Sequence, residues 1–200
     1  AFKAKHGVET PPQTFIDGKR IGGYTELREH FGHDSGDAKG TSYRPVIAVF
    51  AVGAALAIAL SLFVFQLPFT IRTAEWFVAF SMAMLAMLKL QDVEQFSTMF
   101  VGYDLLGRKW VPYAYAYPYL EATAAILMAG RLLPWLSIPV ALFIGTVGAI
   151  SVFYAVYIQK RSIKCACVGG SANVPLGFVS LSENLAMIGM AIWMLLRPTL

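Results

Sequence analysis

The chain has 200 residues, of which 57% are hydrophobic and 14% charged, and its formal net charge at pH 7 is +4. Soluble domains carry roughly 25% charged residues. This composition therefore excludes an ordinary soluble domain and favours an integral membrane protein. The positive charge is better explained by membrane topology than by nucleic-acid binding, so we expect lipid contact and no nucleic-acid partner.

The first 44 residues form a polar head. They hold seven of the sixteen lysines and arginines and six of the twelve acidic residues. The head has neither the apolar centre nor the small-residue cleavage site of a signal peptide. It is also too short for us to expect an independent core. We therefore expect the head either to dock on another structure or to be the remnant of a larger domain.

Five apolar segments follow, each close to the roughly 20 residues that a membrane-spanning helix needs. They run approximately over residues 45–67, 73–90, 111–132, 134–158 and 176–196. Lipid offers no partner to unpaired backbone groups, so these spans should be helical. The predicted fold class is an all-α integral membrane helical bundle with about five transmembrane helices.

The connection between the second and third apolar segments contains a further amphipathic pattern. Its apolar residues recur at helical spacing, namely Phe96, Met99, Phe100 and Tyr103. This spacing predicts a short interfacial helix. The tyrosines of "YAYAYPY", which open the third segment, suit the headgroup region of a membrane.

The distribution of lysines and arginines predicts the orientation in the membrane. One side holds the head together with Lys89, Arg108, Lys109, Lys160, Arg161 and Lys164. The other side holds only Arg72, Arg131 and Arg197. Because basic residues are enriched on the cytoplasmic side, we expect a bacterial inner-membrane protein with its N-terminus in the cytoplasm. The connection between the fourth and fifth segments then also faces the cytoplasm.

That connection holds the only two cysteines of the chain, Cys165 and Cys167, in "IKCACVGGS". A disulfide between them closes a very small ring, and strain makes a disulfide easier to reduce. Lys164 favours the thiolate, which is the reactive form. The pair is therefore a candidate for thiol–disulfide exchange, although the attacking cysteine cannot be assigned.

Two other interpretations of the cysteine pair stay open. Thiolates select soft metals, so Cys165 and Cys167 are an alternative site for Cu(I) or Hg(II). A structural zinc site is not indicated, because zinc needs four ligands and no histidine is nearby. The pair could equally consist of two incidental reduced cysteines at a membrane edge.

Two charged residues of the apolar segments, Glu121 and Lys89, are candidate site residues. Glu121 lies near the middle of the third segment, where a carboxylate is costly and marks a functional site by default. It would either accept a proton during thiol chemistry or form a structural hydrogen bond that locks the bundle. Lys89 ends the second segment, where it either snorkels to the interface or pairs with Glu121 or a thiolate.

The stretch "SLSENL", residues 180–185, is polar for the last apolar segment. Ser180 and Glu183 have the spacing of a capping box, which predicts that a helix begins there. The alternative is that Ser182, Glu183 and Asn184 line the cysteine site.

Three ordered motifs carry a family resemblance: "MLKLQDVEQFSTMFVGYDLL", "YAYPYLEATAAILMAGRLLPWL" and "IKCACVGG" followed by "VSLSENL". Segment 73–196 thereby resembles the MauE/DoxX family of redox-associated membrane proteins. The resemblance places the family's glutamate at Glu121 and its Cys-x-Cys pair at Cys165 and Cys167, although alanine replaces the usual glycine between them. It implies a role in forming or maintaining disulfides of a partner enzyme, usually on the periplasmic side. For the cysteine pair we keep the cytoplasmic side, which the distribution of basic residues predicts.

The head is similar to the C-terminal half of a glutaredoxin, through "HGVETPPQTFIDGKRIGGYTELREHFG". The family's threonine–x–cis-proline motif falls on Thr10, Pro11 and Pro12. Its glutathione-cradling turn falls on Gly22, Gly23, Tyr24 and Thr25. The resemblance thus implies glutathione as a cofactor, although Pro11 has no N–H to donate. The first half of that fold and its cysteine are absent, so we expect the N-terminus to be incomplete.

The sequence predicts a partial thioredoxin-like head over residues 1–40, a linker and an extra transmembrane helix over 41–67, and a MauE/DoxX-like four-helix domain over 68–200. Its predicted function is thiol–disulfide exchange by Cys165 and Cys167, with Lys164, Glu121 and Lys89 assisting. The partner would be glutathione or a protein that carries a thiol or disulfide. The alternatives are soft-metal delivery and a non-catalytic membrane anchor. The chain would act as a homo-oligomer or as a subunit of a membrane complex.

Overall fold

A computed structural model describes residues 14–22, 27, 30–31, 43–160 and 174–197. The chain divides into two compact units, residues 1–41 and 42–200, which are described separately. Several residues of the predicted sites lie outside the described residues and stay predictions: Thr10, Pro12, Gly23, Thr25, Lys164, Cys165 and Cys167.

The described part of the first unit contains an antiparallel β-hairpin. Strands β1 (Thr14–Ile16) and β2 (Lys19–Gly22) pair with each other. Asp17 and Gly18 form the turn, with φ of 48° and 76°. Asp-Gly is a preferred sequence for a two-residue turn with positive φ at both positions. Residues 14–22 therefore form a β-hairpin, but this two-stranded sheet does not show a thioredoxin-like fold.

The second unit is a helical bundle, and its helices follow the apolar segments of the sequence. In chain order the helices are α1 (Arg44–Phe65), α2 (Ile71–Leu90), α3 (Val93–Val101), α4 (Val111–Gly130), α5 (Pro134–Phe153) and α6 (Phe178–Leu196). A π-helical segment, Tyr154–Ile158, continues α5. The predicted class of this unit, a helical membrane domain, is therefore confirmed.

Local signals set where α2 and α3 begin. Thr70 caps α2 by a reciprocal capping box, in which Thr70 Oγ1 accepts from the Thr73 N–H at 3.1 Å and Thr73 Oγ1 accepts from the Thr70 N–H at 3.0 Å. Asp92 Oδ1 accepts from the Gln95 N–H at 2.8 Å at the start of α3. Each cap satisfies backbone donors that the first helical turn leaves without a partner.

Within residues 43–160 and 174–197, four helices are long and apolar enough to cross a membrane, namely α1, α2, α5 with its π-helical continuation, and α6. Many of their exposed side chains are apolar, among them Ile47, Phe63, Phe143 and Leu195. Helices of this composition suggest direct contact with membrane lipid.

Helix α4 accounts for the difference from the five predicted spans. It has 20 residues, but with four tyrosines, Glu121 and two prolines it falls short of the mean hydropathy that marks the four helices named above as candidate spans. Glu121 in its middle binds Lys89 near the end of α2, and Arg131 just after it binds Glu75 near the start of α2. Helix α4 therefore runs antiparallel to α2 along much of its length. If α2 crosses the membrane, α4 crosses beside it, shielded by its neighbours.

The α3–α4 connection is anchored by a buried carboxyl group. Asp104 Oδ1 accepts from the N–H groups of Gly107 and Leu106 at 2.7 and 3.0 Å. Burial raises the pKa of the Asp104 carboxyl, although these N–H groups favour its charged form. The Leu105 N–H donates to Ser151 Oγ at 3.0 Å, which ties the connection to the end of α5.

Helices α5 and α6 approach closely at two glycines of α5. A Cβ at Gly145 would lie 3.0 Å from Ile188 Cγ1, and a Cβ at Gly148 would lie 2.4 Å from Asn184 Oδ1. Small residues let helix backbones approach closely in membrane bundles. Gly148 thereby makes room for the Asn184 side chain in the bundle interior.

We expect Gly148→Ala to destabilise the bundle by about 1–3 kcal/mol, because the added methyl group overpacks the contact and displaces Asn184. Gly189→Ala on α6 is the matched control, because a Cβ there meets nothing within 4 Å among the described residues. Thermal unfolding in detergent measures both variants. Equal melting temperatures for the two variants would contradict this account of the α5–α6 contact.

Candidate functional site

The bundle interior contains a buried cluster of three charged side chains, Lys89, Glu121 and Glu183, here called the charge cluster. Lys89 Nζ donates to Glu121 Oε1 and Oε2 at 2.7 and 2.6 Å. It also donates to Glu183 Oε1 at 2.6 Å. The side chains are 1%, 0% and 3% exposed, respectively. One ammonium group thus lies between two carboxyl groups away from solvent.

The three members come from three different helices. Lys89 is in the last turn of α2, Glu121 is in the middle of α4, and Glu183 is in the second turn of α6. The side chains would sum to a charge of −1 if all were ionised, so one added proton makes the cluster neutral. Uncompensated buried charge is costly. The cluster is therefore suited to taking up and releasing a proton.

Polar and aromatic groups surround the charge cluster. Lys89 Nζ lies 5.5 Å from the centroid of the Tyr117 ring, within the range of a cation–π contact. The Tyr117 hydroxyl donates to Asn184 Oδ1 at 3.4 Å, and Asn184 Nδ2 donates to the Ser180 carbonyl oxygen at 2.7 Å. These groups line a cavity of about 10 Å³, which is room for about one water molecule.

An aromatic layer closes the cluster on the side of α3. Phe100 stacks near Phe96 and Tyr117, with ring centroids 5.1 and 4.7 Å apart. Tyr103 and Tyr113 also contact Phe100. The apolar face predicted for this short helix is therefore buried against the bundle. It helps to keep water away from Lys89.

Two sequence interpretations are corrected by this geometry. Lys89 does not snorkel to the interface; it is buried and binds Glu121, which was the alternative. Ser180 and Glu183 do not form a capping box, because α6 already begins at Phe178 and its first residues lack a side-chain cap. Glu183 instead binds Lys89 of α2, so a long-range ion pair stands where the sequence predicted a local cap. Asn184 also lines the site, whereas Ser182 Oγ donates to the Val179 carbonyl oxygen.

The segment with Cys165, Cys167 and Lys164 lies outside the described residues. The described residues before it end in the π-helical segment, and those after it begin at Val174, which is fully buried. π-Helical turns occur frequently at functional sites. Glu183, which binds Lys89, lies in α6 only nine residues after Val174 along the chain. The cysteine segment is thus joined on both sides to the end of the bundle that holds the charge cluster.

A further buried carboxylate, Glu75, was not singled out from the sequence. It accepts from Arg72 Nη1 at 2.5 Å, from Arg131 Nε at 3.2 Å and from Trp193 Nε1 at 2.9 Å. Its presence inside an apolar segment, three residues after an arginine, was the signal that could have revealed it. Glu75 and its partners mark the opposite end of α2 from the charge cluster.

The described residues give no support to a metal site. No group of three His, Cys, Asp or Glu side chains among them could hold a metal ion. Cys165 and Cys167, the alternative soft-metal ligands, lie outside that part of the chain. Metal binding by the cysteine pair stays a prediction.

The fold and the charge cluster define a helical membrane protein with a buried lysine–carboxylate centre. The chain belongs to the MauE family, described as methylamine utilisation protein MauE, which matches residues 67–197. Helix α1 ends before this match begins. No curated protein and no solved structure matches the chain.

We expect Lys89→Met to destabilise the bundle by about 3–5 kcal/mol, because it leaves two buried carboxyl groups without their cation. Lys89→Met combined with Glu121→Gln should recover part of this loss, since only one carboxyl group then remains. Unfolding of the purified variants in detergent, followed by circular dichroism, measures the difference. If Lys89→Met is as stable as the wild type, the three charged side chains do not stabilise one another, which would contradict this account.

Proposed function

We propose that the protein carries out thiol–disulfide exchange, with Cys165 and Cys167 cycling between dithiol and disulfide. The observation that carries the proposal is the buried contact of Lys89 with Glu121 and Glu183, at the bundle end to which the cysteine segment is joined. A buried ionisable cluster in a membrane protein marks a site of proton transfer or substrate handling. Thiol chemistry needs such a site, because each thiol loses its proton before it reacts.

The exchange would proceed in two balanced steps. One cysteine thiolate attacks a sulfur of the partner disulfide, forms a mixed disulfide and releases the first partner thiolate. The second cysteine, after losing its proton, attacks the mixed disulfide and releases the second partner thiolate. The pair has then lost two electrons, and the partner disulfide has gained two. The reverse sequence reduces the pair, and we do not assign a direction.

The charge cluster would accept and return the thiol proton. Lys89 holds Glu121 and Glu183 together, and one proton neutralises the group. Cys167 stands seven residues before Val174, and seven extended residues span up to about 25 Å. Chain length therefore allows the cysteines to approach the cluster. In this proposal Lys164 favours the thiolate, while Glu121 and Lys89 act as proton carrier and positioning residue.

Glutathione held by the head would supply or accept the electrons, as the resemblance of the head to glutaredoxin implies. Thr10, Pro12, Gly22, Gly23 and Thr25 would hold the glutathione. The positive-inside bias would place the head and the cysteine segment on the cytoplasmic side. The DoxX part of the family resemblance is compatible with this redox role.

Redox titration of the protein in membranes tests the proposal. The Cys165 and Cys167 thiols are blocked by a mass-tagged maleimide after equilibration at different ratios of reduced to oxidised glutathione. We expect both thiols to appear and disappear together, as a two-electron couple. Cys165→Ser and Cys167→Ser should abolish the couple, and one of them should accumulate a glutathione mixed disulfide that dithiothreitol releases.

The double variant Cys165→Ser/Cys167→Ser is the matched control for nonspecific labelling. A pair whose labelling does not change over the whole glutathione range, with no mixed disulfide in either single variant, would contradict thiol–disulfide exchange. Stoichiometric Cu(I) in the purified wild type, lost in the double variant, would in that case favour the soft-metal alternative.

A further inference from the structure

The end of the bundle opposite the charge cluster contains a cavity of about 480 Å³ between the α1–α2 connection and the end of α4. Arg72, Arg131 and Glu75 form its charged wall, and Phe65 and Ile71 belong to its apolar wall. A second cavity of about 240 Å³ shares Ile71 and Glu75 with the first and is otherwise mostly apolar. Glu75 and Ile71 therefore lie between the two cavities, and both arginines line the larger one.

The charged wall carries more positive than negative charge. Both Glu75 oxygens are occupied, since they accept from Arg72, Arg131 and Trp193. Arg72 Nη2 also donates to the Ala129 carbonyl oxygen at 3.0 Å. Two guanidinium groups and one carboxylate leave a net charge of +1 at this end. The wall is therefore complementary to an anion.

One donor of this wall has no hydrogen-bond partner in the part of the chain that the structure describes. Arg131 Nη1 is buried and bonds to none of the described residues. A buried donor without a partner is costly. Arg131 also has a φ of 52°, in the left-handed region that favours glycine at a helix end. The chain thus places an arginine, with a free N–H donor, where glycine would fit the backbone better.

The position of the wall suits the headgroup level of a membrane. Trp76 Nε1 donates to the Ala129 carbonyl oxygen at 3.1 Å beside it, and Trp193 contacts Glu75. Tryptophans are enriched where membrane-spanning helices meet the interface. Guanidinium groups bind phosphate through paired N–H donors. A phosphate group at this level is available from membrane lipids.

We propose that this end of the bundle binds an anionic phospholipid. Arg131 and Arg72 bind its phosphate group, and the two cavities take the beginnings of its two acyl chains. Glu75 is a positioning residue that holds the arginines. The site is independent of the thiol chemistry, because Glu75 and Lys89 are 14 residues apart on α2, or about 21 Å along the helix.

Native mass spectrometry of the purified protein, with added phosphatidylglycerol or phosphatidylcholine, tests the proposal. We expect the wild type to retain phosphatidylglycerol in preference to phosphatidylcholine. Arg131→Gln should weaken retention of phosphatidylglycerol about tenfold, the factor that loss of one charge-assisted hydrogen bond predicts. Ile71→Trp, which narrows both cavities and leaves both arginines in place, should also weaken it.

Arg197→Gln is the matched control, because it removes one positive charge at the same end of the bundle. Arg197 lies over the Trp193 ring, at 5.4 Å from its centroid, and lines neither cavity. The Arg197→Gln variant should retain phosphatidylglycerol as well as the wild type does. Equal loss in Arg197→Gln and Arg131→Gln, or equal retention of both lipids by the wild type, would overturn the proposal. Displacement of the lipid by millimolar inorganic phosphate would overturn it as well, because the site would then bind free anions.

Discussion

The contact of Lys89 with Glu121 and Glu183 is the interaction on which the rest of the bundle depends. It joins three helices by hydrogen bonds of 2.6–2.7 Å in an interior that excludes water. A buried charge can be tolerated only with its partners in place. The charge cluster therefore fixes the positions of α2, α4 and α6 relative to one another. Removing Lys89 leaves two carboxyl groups buried without their cation.

A second contact, between Glu75 and two arginines, fixes the other end of α2 against α4. The two contacts together explain how α4, with its tyrosines and Glu121, can lie among more apolar helices. Glu121 and Tyr117 of α4 face partners inside the bundle, Lys89 and Asn184 respectively. The two ends differ in chemistry, since one is a closed centre with an excess of carboxyl groups and the other an open wall with an excess of guanidinium groups.

Hydropathy predicted the helical segments to within a few residues, because burial in lipid or in the bundle demands apolar helices whatever their neighbours are. The same reasoning identified Glu121, since a carboxylate in such a segment needs a partner. It could not choose the position of Lys89, because pairing depends on which helices are adjacent. Glu183 was assigned to a helix cap, since Ser-x-x-Glu is a local pattern and its partner lies 94 residues away. Glu75 was missed because two of its partners, Arg131 and Trp193, lie 56 and 118 residues away along the chain.

The central claim is that the charge cluster accepts the proton of a cysteine thiol. The most direct test is the rate at which oxidised glutathione oxidises Cys165 and Cys167, measured between pH 6 and 9 in Glu121→Gln and in Glu75→Gln. Loss of a general base costs about 10²–10⁴ in rate. We predict a rate at least about 100-fold lower in Glu121→Gln at neutral pH, with recovery as hydroxide replaces the carboxylate, and an unchanged rate in Glu75→Gln. Oxidation of Glu121→Gln at the wild-type rate across this pH range would contradict the account.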